Sequence, residues 1–106
     1  MGTFTNIDVS RLRELQGTPD LLLVDVRTEQ EVSRGVIPGA RHVPLHMLPM
    51  RLDEFANAEV VVFYCQSGAR SAQASAFVSG KGPREVYNLA GGIAAWAVKG
   101  LPLASL

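Results

Sequence analysis

The chain is predicted to fold as a single α/β domain, and two features of its residue pattern lead to that expectation. Short apolar runs alternate with short amphipathic stretches along all 106 residues, the rhythm of strands interleaved with helices. Two of those runs, Leu21 to Val26 and Val60 to Tyr64, are almost unbroken in branched aliphatic and aromatic residues. Such continuity belongs to strands buried on both faces of a parallel sheet. The length suits one domain over residues 1–106, and 47% hydrophobic residues suffice for a core,.

Phe4 to Ile7 reads as an edge strand. Asp8 or Ser10 caps a short helix running through Leu15, with Leu12 and Leu15 on one face, and Gly17, Thr18 and Pro19 break it. Leu21 to Val26 and Val60 to Tyr64 are then the central strands. Between them, Gly39 to Val43 forms a brief strand, followed by a short helix around Met50 to Phe55. After Tyr64 comes CQSGARSAQASAFVSG. Its second half is helical, with Ala72, Ala76 and Phe77 available to face the sheet. Glu85 to Asn88 is the last strand. A final helix from near Gly92 to Lys99 contributes Ile93, Trp96 and Ala97 to the core.

Composition narrows the function. Ten basic residues balance ten acidic ones, so no global charge points to nucleic acid or to an anionic membrane. The one cysteine excludes an internal disulfide and fits a reducing compartment. The first residues lack a basic stretch followed by an apolar run, and Gly2 is followed by Asn6 where an acylation signal needs Ser or Thr. No stretch has the length to span a bilayer. A soluble cytoplasmic protein is expected.

The sharpest feature is the loop Cys65-Gln66-Ser67-Gly68-Ala69-Arg70, followed by Ser71. It lies between a buried strand and a helix, where open α/β sheets bind ligands. A tight turn there points successive backbone N–H groups inward above a helix N-terminus, a pocket suited to an anion. Gly68 supplies backbone angles denied to other residues. Arg70 is the one charged residue between Val60 and Gly80. Converging amides and a guanidinium would lower the thiol pKa, hold a persulfide and dock an oxyanion such as thiosulfate. A free cysteine at a strand end is often an inert core residue, but Cys, Gly and Arg together in one strand-to-helix loop favour a reactive thiolate.

These residues resemble the rhodanese family, whose single-domain members carry a six-residue loop opening with cysteine. Residues 65 to 70 match that loop. Asp25-Val26-Arg27 with Glu31 is similar to the family's first motif. Gly35-Val36-Ile37-Pro38-Gly39-Ala40, running on to Val43 and Pro44, resembles the segment leading into its third strand. Leu89-Ala90-Gly91-Gly92 with Trp96 resembles its last motif. Val36 departs from the pattern, standing where the family usually carries His. The resemblance implies a five-stranded parallel sheet flanked by helices. It also implies a sulfurtransferase that moves sulfane sulfur from thiosulfate or a persulfide donor to cyanide, a thiol or an acceptor protein. The sulfur would ride as a persulfide on Cys65, with Gln66, Ser67, Gly68, Ala69 and Arg70 as the binding loop. No metal or organic cofactor is expected.

The remaining candidates have competing readings. Asp25 and Arg27, with Glu31, either border the pocket or form an ion-pair and cap network holding the loops, and the second is favoured because buried charges need partners. Gly35, Gly39, Gly91 and Gly92 read as turn formers, and Trp96 as core. His42 and His46 with Cys65 lack any usual zinc spacing, although either histidine can sit at the pocket rim. The rival activities are a non-enzymatic sulfur carrier or sensor, and a cysteine-dependent phosphatase or arsenate reductase. Phosphatase loops are one residue longer between Cys and Arg than the four residues here.

Overall fold

The computed structural model describes residues 3–106, so Gly2 and the reading of it as an acylation site lie outside the described residues. The strands are β1 (Thr5–Ile7), β2 (Leu21–Asp25), β3 (Arg41–His42), β4 (Val60–Tyr64) and β5 (Glu85–Leu89). The helices are α1 (Val9–Leu15), α2 (Glu29–Val32), α3 (Ala69–Val78) and α4 (Gly92–Val98). Among the described residues every strand pairing within the five-stranded sheet, of order β1-β5-β4-β2-β3, is parallel. β4 therefore lies at the centre and β1 at an edge.

Register decides where the chemistry can gather. Asp25 pairs with both Tyr64 and His42, so β2, β3 and β4 end level with one another. The residues that follow, Arg27 and Cys65, leave the same edge of the sheet. Side chains alternate across β4. Val62 and Tyr64 join the core under α1 and α4, whereas Val61, Phe63 and Cys65 join the one with Ala74 and Val78 of α3.

Local signals explain most elements. The Asp8 side chain accepts from Arg11 N at 2.8 Å and caps α1, which buries Leu12 and Leu15 as expected. α2 has no counterpart in the sequence reading. Thr28 and Glu31 form a capping box that starts this single turn,.

Three expectations need correction. The helix placed around Met50 to Phe55 is instead two 3-10 turns, Leu45–Met50 and Leu52–Glu54. Pro49 lies inside the first, and Arg51 leaves helical angles at φ −123° and ψ 21° between them, so no continuous α-helix forms. The inward face of α3 is Ser71, Ala74, Ser75 and Val78 rather than Ala72, Ala76 and Phe77. The Ser75 hydroxyl donates to Ser71 O at 2.8 Å and that of Ser79 to Ser75 O at 2.7 Å. Serines satisfied within their own helix can be buried, and that turns Phe77 outward, under Lys81 Nζ at 4.7 Å from its ring centre. Ile93 and Trp96 of α4 are buried, but Ala97 is exposed, being one residue round the helix from Trp96.

Candidate active site

Cys65 follows the last residue of β4 and is 1% exposed. The chain turns immediately, and Gly68 makes the turn with φ +108°. A Cβ there would stand 2.1 Å from Ala90 O, so no side chain fits. The turn aims the Gly68 N–H at Cys65 Sγ, 3.1 Å away. One helical turn later the Ser71 hydroxyl donates to the same sulfur at 3.4 Å. Burial pushes the thiol pKa up. The Ser71 hydroxyl and the amides of Ser71, Gly68 and Ser67 outweigh it and hold the thiol below its ordinary range,.

The loop is braced by main chain from behind. Ile93 N donates to Cys65 O at 2.9 Å and Ala94 N to Gln66 O at 3.1 Å. Gly92, at φ +62°, allows that approach, since a Cβ on it would lie 2.4 Å from Gln66 O. The Gly68 carbonyl accepts from Ala72 N at 3.0 Å and from Asn88 Nδ2 at 3.3 Å. Asn88, buried at the end of β5, also donates to Asn6 Oδ1 at 3.0 Å. Gln66, Ser67 and Ala69 are exposed.

Arg70 is held by Glu31. Its guanidinium forks onto Glu31, with Nη1 and Nη2 at 2.7 and 2.8 Å from the two carboxylate oxygens, so the amides and Ser71 are the sulfur's donors. The Arg70 fork, with help from Thr28, holds the Glu31 carboxyl down at about 2. Asp25 and Arg27 form the buried ion-pair network favoured above. Arg27 Nε reaches both Asp25 oxygens at 3.1 Å and Nη2 reaches Oδ2 at 2.8 Å. Nη2 also donates to Gly35 O at 2.7 Å. That strut joins the Asp25 motif to the Gly35 segment without help from residue 36. Val36 pairs its own N–H and C=O with Ala104, both at 2.8 Å.

Gly35 and Gly39 have φ of +126° and +89° and are turn formers, as read. His42 Nε2 bonds Arg27 O at 2.7 Å. His46 sits on the rim of a shallow depression with Arg70. Among the described residues no three His, Cys, Asp or Glu side chains group to hold a metal. No helix among them is long and apolar enough to cross a membrane. Sequence reasoning missed Asn88, the α4 amides and the sulfur-bonding role of Ser71. A hydroxyl six residues after the cysteine, in the first turn of a helix folding back over the loop, was the available signal for the last.

The model of the family described as rhodanese-like domain matches residues 8–99. A sulfurtransferase of Allochromatium vinosum is 48% identical over 91 residues, covering 86% of this chain and 85% of that protein. The thiosulfate sulfurtransferase GlpE of Glaesserella parasuis is 31% identical over 101 residues, 95% of this chain and 94% of its own. The solved structure of a human single-domain sulfurtransferase superposes with a TM-score of 0.80 at 30% identity, covering 92% of this chain and 98% of that one.

Proposed function

This chain belongs to the family of rhodanese-like domains, and from that premise we propose that it is a sulfurtransferase working through a persulfide on Cys65. Its donor is a small sulfur-bearing anion such as thiosulfate, or a persulfide. Its acceptor is cyanide in the test tube, and a small thiol or an acceptor protein in the cytoplasm. The observation that carries the reading is the pair of donors on one buried sulfur, Gly68 N–H at 3.1 Å and Ser71 O–H at 3.4 Å. Such donors stabilise a thiolate, and then a persulfide anion at the same place.

In the first half-reaction the thiolate attacks the outer sulfur of thiosulfate. The sulfur–sulfur bond breaks and sulfite leaves with its electron pair. Gln66, Ser67, Gly68, Ala69 and Arg70 form the cradle, the Ser67 and Gly68 amides acting on the sulfur and Arg70 holding the loop to α2 through Glu31. In the second, an acceptor nucleophile takes the outer sulfur and returns the electron pair to Sγ. The phosphatase and arsenate reductase alternatives are disfavoured because both Arg70 fork nitrogens are engaged by Glu31. The near-complete burial of Cys65 favours one second reading, a carrier that passes sulfur slowly to a single partner protein.

The test is an intact mass after incubation with thiosulfate and desalting, beside Cys65→Ser and a cyanide-treated aliquot. A gain of one sulfur atom that requires Cys65 and vanishes with cyanide is expected. No gain from thiosulfate, a small-molecule persulfide or a desulfurase would sink the proposal. Loading with poor turnover on small thiols, alongside fast transfer to one protein, would select the carrier.

A further inference from the structure

We propose that Asn88 and Asn6 are positioning residues for the sulfur chemistry, a two-amide brace that runs from the edge strand β1 to the loop around Cys65. The assignment rests on the sulfurtransferase reading for what the loop does, and on the side chains themselves for how it is held. Asn88 breaks the local pattern of its strand. It lies in β5, 2% exposed, two residues after Val86 and opposite Phe63 of β4. Both neighbours belong to the apolar cluster beneath α3. A buried amide is poor strand material and loses its water, so an aliphatic residue would suit that place better.

The amide is also only half satisfied. Nδ2 donates to Asn6 Oδ1 at 3.0 Å and to Gly68 O at 3.3 Å. Oδ1 is the one buried side-chain nitrogen or oxygen without a hydrogen-bond partner among the described residues, which carries a desolvation cost. The orientation is fixed all the same, because turning the amide over would set Oδ1 against two other oxygens. Asn6 is the register partner of Asn88 on β1. Their side chains therefore share one face of the sheet, and Asn6 Oδ1 keeps the donating end in place. An amide that leaves its own carbonyl unpaired in order to aim a donor has its use at the acceptor, Gly68 O.

Gly68 is where such a donor has most leverage. Its N–H bonds Cys65 Sγ at 3.1 Å, and its carbonyl opens α3 by accepting from Ala72 N at 3.0 Å. Its angles, φ +108° and ψ −12°, have no side chain to restrict them. Fixing the carbonyl fixes ψ, and with it both donors on the sulfur. One is the Gly68 amide itself, and the other is the Ser71 hydroxyl, carried at 3.4 Å by the first turn of α3. Asn88 thus acts on Cys65 through Gly68.

The test reads the ionisation of Cys65, which requires no sulfur transfer. Alkylation by iodoacetamide is followed against pH for wild type, Asn88→Leu, Asn6→Ala and Asn6→Asp. Asn88→Leu keeps the size while removing both donated bonds and the unpaired carbonyl. A urea midpoint no lower than that of wild type is expected, whereas a purely structural amide would lower the midpoint and leave the pH–rate curve in place. The curve should move to higher pH, with alkylation at pH 7 slowed about three- to tenfold, the worth of one hydrogen bond. Rates should converge in the alkaline plateau, where the thiol is fully ionised. Asn6→Ala should slow alkylation about twofold, and Asn6→Asp, which keeps the accepting oxygen, should restore the wild-type curve. An unmoved curve in folded Asn88→Leu, an equal slowing at every pH, or Asn6→Asp behaving as Asn6→Ala would overturn the brace. If Asn88→Leu does not fold, the two Asn6 variants decide by the same curve. Thiosulfate loading of wild type separates the two claims: shifted curves in a protein that never loads sulfur would uphold the brace and overturn the activity alone.

Discussion

At Cys65 burial and hydrogen bonding act in opposite directions on one proton, and the balance lies with the donors. Ser71 is the first of these. Removing its hydroxyl leaves burial less opposed, so the thiol pKa rises in Ser71→Ala. Alkylation by iodoacetamide at pH 7 should slow roughly three- to tenfold, the net worth of one hydrogen bond. An unchanged rate would mean that the amides alone set the thiol. Two residues further from the chemistry, Asp25 is fully buried and Arg27 is 4% exposed. Asp25→Asn strands a buried guanidinium, and urea denaturation should show a loss of about 3–5 kcal/mol. A loss below about 1 kcal/mol would place the pair in water.

Between elements, the Glu31–Arg70 fork ties α2 to the start of α3, and its contribution depends on pH with a definite sign. The Glu31 pKa in the folded chain is about 2, against 4.5 ordinarily. A carboxyl depressed by folding stabilises fully above about pH 4.5, and the stabilisation disappears as pH falls towards 2. Both side chains are partly exposed, at 35% and 26%, so solvent screening keeps the effect to about 1 kcal/mol. Thermal melts from pH 5 to pH 2.5 should therefore fall less steeply in Glu31→Gln, and parallel curves would argue against the fork. The α4 contact is tested by Gly92→Ala. A Cβ at φ +62° and 2.4 Å from Gln66 O should cost about 2–4 kcal/mol and disturb thiol reactivity together. The strands were legible in the chain because continuous apolar runs have one good use, a doubly covered sheet, and Val60 to Tyr64 is recovered residue for residue. The turn at Gly68, with its positive φ, was legible as well. The inward face of α3 was not, because a stripe of Ala and Ser has little hydrophobic contrast, and hydrogen bonds within the helix decided which small residues turned inward. The partner of Arg70 was not legible for a different reason: Glu31 lies 39 residues away in sequence, where spacing carries no information.

Over the whole molecule, the segment after α4 folds back over Trp96 and the Val36 segment. Pro102 O accepts from Trp96 Nε1 at 2.8 Å, and Ala104 pairs twice with Val36. Deleting residues 101–106 removes three hydrogen bonds and should lower stability by about 3 kcal/mol, read as a lower denaturation midpoint. Persulfide loading of the surviving folded fraction should be unchanged, and a loss of loading would mean that the tail shapes the loop. The loop itself depends on very little of its own lettering. Its curve is set by Gly68, by amides of α4 and by a carbonyl bonded to Asn88, while Gln66, Ser67 and Ala69 point into solvent. Those three positions are therefore an interchangeable face on a fixed frame. Substitutions at them can change what meets the rim while the sulfur keeps its seat, so a new specificity needs no redesign of the centre.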